Sequence, residues 1–117
     1  MSQKESPDII ATIRFRTTAE GGRNGPILTD TLRCMMVFGP EVFDCLLMLQ
    51  QVGNVQLGEI VTVPMRFLVA DLLRGKLKPG DKFYLRDYRV IADGEVKSVL
   101  LEGKPREPNS LDETQSL

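Results

Sequence analysis

The sequence predicts an all-β protein, a six-stranded antiparallel closed β-barrel, and three observations carry that prediction. β-Branched and aromatic residues alternate with polar ones, the period-2 signature of half-buried strands. Glycine- or proline-bearing breaks divide these stretches into six short runs within 117 residues. Six strands at this spacing, with a hairpin to finish, favour a closed or nearly closed barrel over an open sheet with unprotected edges.

The first run, "DIIATIRFRTT" at residues 8–18, sets Ile9, Ala11, Ile13 and Phe15 against Ile10, Thr12, Arg14 and Arg16, so one face is apolar. The loop "AEGGRNGP", residues 19–26, follows with three glycines, a proline and one arginine. Glycine serves where the backbone takes positive φ or passes close to a partner, and proline fixes the exit. A loop of defined shape therefore projects Arg23. Residues 27–38 lead through the "GPE" break into residues 42–52 as an antiparallel hairpin, although "VFDCLLMLQQV" is leucine-rich enough to suit a helix as well. After the break at residues 53–59, "IVTVPMRFLV" contains Pro64, which lacks an amide donor and places this strand at an edge, bulged or interrupted. "ADLLRGKL" reads as a short helical turn or loop, with Leu68, Leu72 and Leu73 spaced to cover one end of the core. "KPGD" suits a type II turn. It launches residues 82–91, and "ADGE" at residues 92–95 reverses the chain into "VKSVLL", since Asp-Gly between apolar alternations is a strong hairpin signal. The organisation expected is a flexible N-terminus over residues 1–8, one barrel domain over 9–102, and a polar, proline-bearing disordered tail over 103–117.

Composition removes most chemistry. The chain contains no histidine, so neither a Ser-His-Asp nor a Cys-His constellation can be built. Asp71, Asp81, Asp87, Asp93 and Glu95 fall where turns or strand edges would hold solvated acids, and no Walker, GxGxxG or GxSxG motif occurs. Cys34 and Cys45 lie inside apolar runs without Cys-x-x-Cys spacing and read as buried reduced thiols. No enzyme activity, metal or cofactor is expected. The polar opening "MSQKESPD" and the absence of any apolar run near ~20 residues predict neither a signal peptide nor a membrane span, with the cytoplasm as the expected location. Fifteen basic against 16 acidic residues give a net charge of −1, which does not favour a nucleic-acid partner. Distribution adds a little: residues 61–106 carry 10 basic against 6 acidic residues, and residues 107–117 carry 0 against 3.

"IRFRTTAEGGRNGP" resembles the opening of the C-terminal barrel domain of elongation factor Tu and related translational GTPases, where a first strand enters an E-G-G-R-x-x-P loop. Glu20, Gly21, Gly22, Arg23 and Pro26 match in register. "FYLRDYRVIADGEVKSVL" is similar to the family's last hairpin through Phe83, Arg86, Gly94, Val96, Val99 and Leu100, and Gly58 with Glu59 matches the opening of its fourth strand. The likeness spans residues 9 to 101. It implies a six-stranded barrel, but not GTP hydrolysis, which in that family belongs to a separate domain. There the barrel helps hold the T stem of tRNA, packs against the GTPase domain and contacts the exchange factor, with the loop arginine on the tRNA side. The sequence departs from the pattern at Asp87, Tyr88 and Arg89, which replace a second glycine-rich turn with one residue fewer. "DTLRCM" with Cys34 replaces a tyrosine-arginine-proline-glutamine signature, and residues 70–79 are longer.

Arg23 admits two roles. It can pair locally or lay its stem over the barrel end, or its planar guanidinium can grip a phosphate or carboxylate. Arg14, Arg16, Arg86 and Arg89, beside the backbone of Gly21 and Gly22, extend the second role if the barrel register gathers them. Two functions follow from the resemblance: a standalone module binding tRNA or another structured RNA, or a protein-interaction module or decoy docking on a translation GTPase or one of its partners. Edge pairing near Pro64 would add a weak dimer to an otherwise monomeric chain. Barrel interior accounts for Met35, Met36, Leu46, Met48, Leu68 and Leu72.

Overall fold

In β1 (Ile9–Phe15) the four residues on the predicted apolar face are wholly buried, while Ile10, Thr12 and Arg14 face outward. Alternation also marks β2 (Thr31–Phe38), β3 (Glu41–Met48), β4 (Ile60–Phe67) and β5 (Lys82–Arg86), whereas β6 (Val90–Val99) buries the adjacent Ile91 and Ala92 together. A computed structural model describes residues 6–100. The strands run β1-β4-β3-β2-β5-β6 and β6 returns to β1, so the barrel is closed and every pairing is antiparallel. Each strand has two neighbours, which leaves no edge to template aggregation. Inward residues of all six strands meet in one core around Phe15, Met36, Leu47, Met65, Leu85 and Ile91. The expected tail at 103–117 and residues 1–5 of the expected N-terminus lie outside the described residues. Asp8 is fixed: its N–H donates to Met65 O at 2.8 Å and its buried carboxylate accepts from Phe67 N at 2.9 Å.

Two turns form as the residues dictate. Pro79 and Gly80 sit at the centre of "KPGD", with Gly80 at φ +96° and Asp81 N donating to Lys78 O at 3.1 Å, the backbone a type II turn requires. β2 and β3 are joined by Gly39 and Pro40 alone, with Phe38 opposite Glu41. The leucine-rich run is β3, a strand, because its alternate residues Phe43, Cys45 and Leu47 are the buried ones.

Several expectations need correction. β2 begins at Thr31, not at residue 27, because Ile27 instead makes an isolated antiparallel bridge with Val55. Pro64 interrupts β4 on one side, as expected, without placing the whole strand at a sheet edge: pairing with β1 runs past it, while the β3 ladder covers only Met65, Arg66 and Phe67 and stops before it. Met65 O faces β1, so the backbone of Pro64 faces β3, and the β3 ladder has already ended at the Leu47–Met65 pair. The missing donor falls where no acceptor waits.

The hairpin "ADGE" is not a turn. The chain reverses at residues 87–89, where the Asp87 carboxylate accepts from the N–H groups of Tyr88 and Arg89 and Asp87 N donates to Arg89 O at 3.0 Å. A side chain that bonds the following backbone in this way makes a turn without glycine. β6 then runs straight through Asp93 and Gly94, and only so long a strand can pair with β5 and also close the barrel on β1.

Leu68 and Leu72 do not cover the core; they are 66% and 55% exposed, and Leu73 with Leu77 is buried instead. Residues Ala70–Leu73 form a 3-10 turn, whose period of three lets only one of the neighbouring leucines point inward. Of the other apolar residues assigned to the interior, Met36 is fully buried, while Met35, Leu46 and Met48 are half-buried on outward positions.

Cys34 and Cys45 face each other across β2 and β3 as free thiols, Sγ to Sγ 3.8 Å, both buried. The hydrogen bond with Cys34, followed by burial, pushes the Cys45 thiol far above its ordinary 9.0. The folded state therefore keeps a proton that the unfolded chain releases, so stability is full below the unfolded thiol value and falls as pH rises through it. The unfolding free energy from urea titrations should begin to decline near the unfolded thiol value and approach a slope of about 1.4 kcal/mol per pH unit only above it. The slope should flatten in Cys45→Ala, and an equal slope in both proteins would contradict this account.

Candidate functional site

The glycine loop is fastened before it projects anything. Thr17 caps the 3-10 turn Thr18–Glu20: its hydroxyl accepts from Glu20 N at 3.3 Å while its own N–H donates to Glu20 Oε1 at 2.8 Å, a reciprocal box that satisfies two otherwise orphaned donors. The hydrogen bonds from Thr17 and then the Arg14 guanidinium hold the Glu20 carboxyl below the ordinary range. Gly21 ends the turn at φ +88°. Gly22 N donates to Thr17 O at 2.9 Å, and the Thr18 hydroxyl donates to Arg23 O at 2.8 Å. No side chain fits at Gly22, since a Cβ there would lie 2.2 Å from Arg16 O.

Across from this loop stands the turn at residues 87–89. Arg23 Nη1 lies 3.6 Å from Asp87 Oδ2 with both side chains 37% exposed, and Arg89 Nη1 donates to Gly22 O at 3.0 Å. Together they bound an open cleft of about 300 Å³ lined by Gly22, Arg23, Pro26, Asp87, Tyr88 and Arg89 among others. Tyr88, 93% exposed, stands at its lip.

The register brings some of the predicted residues to this end of the barrel and separates others. Gly22, Arg23 and Arg89 meet at the cleft, and Gly21 lies just outside it. Arg14 and Arg16 share the outer face of β1, but each faces an acid: Arg14 Nη2 lies 3.1 Å from Glu20 Oε1, and Arg16 holds Asp93 with two bonds of 3.1 and 2.8 Å. The Arg16 guanidinium also lies 5.6 Å from the centre of the Tyr84 ring, and chiefly its hydrogen bond to Asp93 raises its pKa further. Arg86 is elsewhere, on β5 opposite Met35 of β2. Its side chain has no hydrogen-bond or ion-pair partner among the described residues, and the same holds for the side chains of Arg33 and Arg66.

The residues that sequence reasoning passed over are Asp87, Tyr88 and Asp93 as parts of the rim, and Arg33 and Arg66 as unpaired cations. Alternation with buried Cys34 and Met65 marks the last two as outward-facing, yet nothing in a single strand says which neighbour stands beside them. A further apolar surface, Val42, Leu68, Val69 and Leu72, is exposed together at the far side of β3 around a shallow cleft of about 120 Å³.

Among the described residues no group of three or more histidine, cysteine, aspartate or glutamate side chains is placed to hold a metal ion, and no helix is long and apolar enough to cross a membrane. No protein-family model matches the chain, and no curated protein matches it.

Proposed function

We propose that this chain is a non-catalytic binding module, a barrel of the kind that closes elongation factor Tu, and that its rim docks a protein partner. The observation that supports it is Tyr88, an exposed aromatic between Arg23 and Arg89 on a turn held from beneath. Tyrosine and arginine are the side chains that most often anchor protein interfaces, and a rigid loop loses little entropy on docking. Charge separates this from an RNA site. Arg14, Arg16 and Arg23 each face a carboxylate of Glu20, Asp93 or Asp87, so few cations remain to displace counterions from a phosphate backbone. The partner suggested by the "EGGR-x-x-P" resemblance is a translation GTPase or a protein that recognises one.

A structured RNA such as tRNA is the second reading. It is favoured by the Tyr88 ring, open for stacking on an unpaired base beside two arginines. Affinity capture with the full chain distinguishes the two, analysed for both protein and RNA at low and raised salt. A translation protein held at raised salt, and reduced at least about tenfold by Tyr88→Ala, is the expected result. Recovery of tRNA alone, lost on Arg23→Ala and on adding salt, would replace it with the second reading.

A further inference from the structure

Arg33 on β2, Leu46 on β3 and Arg66 on β4 are direct cross-strand neighbours. Alternation with buried residues turns all three outward. They form one row, with leucine between two arginines that stand roughly 10 Å apart, two strand spacings. Arg86 on β5 sits opposite Met35, two residues along from Arg33, and so extends the positive face by one diagonal step of about 7–8 Å. A cleft of about 160 Å³ opens beside the row between Arg33, Asp44, Leu46, Arg66, Phe67 and Leu68. Asp44 is the one acid in it, and it forms no ion pair with any described residue. The balance is therefore positive around an apolar floor, while near the glycine loop Arg14, Arg16 and Arg23 already face acids of their own.

Leu100, the last described residue, lies across β1 from the β4 end of this row. Leu100 N donates to Asp8 O at 2.9 Å, and the Asp8 carboxylate accepts from Phe67 N, the residue after Arg66. Seventeen residues follow Leu100, and from residue 107 onward they read "EPNSLDETQSL", with Glu107, Asp112 and Glu113 and no basic residue. The face lies about two to four strand spacings from Leu100, roughly 10–20 Å. An extended chain covers about 3.3 Å per residue, so residues 107–117 reach every part of it.

We propose that residues 107–117 of this chain dock on the Arg33–Leu46–Arg66 face. The carboxylates of Glu107, Asp112 and Glu113 meet the unpaired guanidinium groups, and Leu111 enters the apolar cleft. Exposed ion pairs are individually weak, but a tethered segment works at an effective concentration on the order of millimolar, which turns weak contacts into a populated docked state. This strap covers a face separate from the glycine-loop rim and stands whether or not the rim binds a protein.

Paramagnetic relaxation in the full chain tests it, with a nitroxide attached through Ser110→Cys; Cys34 and Cys45 are buried and escape the label. At low salt the amides of Arg33, Leu46 and Arg66 should broaden, while those of Gly21 and Tyr88 should not. The effect should fall at least about threefold near 1 M salt, where the screening length is about 3 Å. It should fall likewise with Arg33→Glu plus Arg66→Glu. Substituting Glu107, Asp112 and Glu113 by Lys leaves the barrel untouched; alone it should abolish the broadening, and combined with the two arginine reversals it should restore it. Broadening spread evenly over all faces, insensitivity to salt and charge reversal, or broadening seen only between labelled and unlabelled copies would each overturn the proposal.

Discussion

Gly94→Val should destabilise the fold by roughly 3 kcal/mol, the upper end of what overpacking a core costs. For a domain of this size that loss lowers the melting temperature by roughly 15 °C. A Cβ at Gly94 would lie 2.4 Å from two atoms of the Phe83 ring and 3.0 Å from Ile13 Cδ1. Phe83 is buried on β5 directly opposite Gly94, and Ile13 is buried on β1 at the same level. The ring fills the space where a side chain would stand, so the missing Cβ is what lets β5 and β1 close on β6. Phe83→Leu in the Gly94→Val background should recover part of the loss, giving a coupling above about 1 kcal/mol in a double-mutant cycle. Thermal and urea unfolding of the four proteins would decide it; additive effects, or a melting point within a few degrees of the parent, would show that the glycine is not needed for packing.

That residue is also where the sequence misleads. Asp-Gly between alternating runs has the chemistry of a hairpin turn, and the local signal is correct as far as it goes. The decision is made elsewhere: Asp87 closes a turn with its own carboxylate earlier in the chain, and closure of the barrel requires β6 to extend to Val99. Strand class and closure were readable because the period-2 burial in β1, β3 and β4 depends only on neighbours in the chain. Leu68 and Leu72 were misplaced for the converse reason. Their helical spacing suggested a buried face, but a single 3-10 turn leaves most of them in solvent.

The candidate site was legible to the same depth. The glycine loop and Arg23 stand out in one contiguous stretch, and the structure does place Arg89 against Gly22 O. What a linear reading lacks is lateral register. Arg14 and Arg16 look like free cations until β6 brings Asp93 beside Arg16 and the capping turn brings Glu20 beside Arg14. Arg33 and Arg66, 33 positions apart, become neighbours across Leu46 only once β2, β3 and β4 are aligned. Strand order and register thus decide which charges are matched, and with them the kind of partner each face suits.

Gly22→Ala carries the second large effect because the obstacle is main chain. The new Cβ would fall 2.2 Å from Arg16 O, 2.7 Å from its carbonyl carbon and 2.9 Å from its Cβ, and none of these atoms can rotate away as a flexible side-chain end could. The loop has to swing off β1, losing the bond from Gly22 N to Thr17 O and the one from Arg89 to Gly22 O. About 2 kcal/mol of stability should go with them. The adjacent glycines separate this cause from generic loop sensitivity. Gly21→Ala meets open space and suffers only its φ of +88°, at about 1 kcal/mol, while Gly25→Ala meets nothing and has no positive φ, so it should stay within about 0.5 kcal/mol. Binding should follow the same order, Gly22→Ala losing the rim partner, Gly21→Ala weakening it through its strained φ, and Gly25→Ala retaining it, because Arg23 and Tyr88 line one cleft whose loop wall the first substitution displaces and the second distorts. Equal stability losses at all three positions would mean that the loop tolerates displacement and that its shape does not hold the rim.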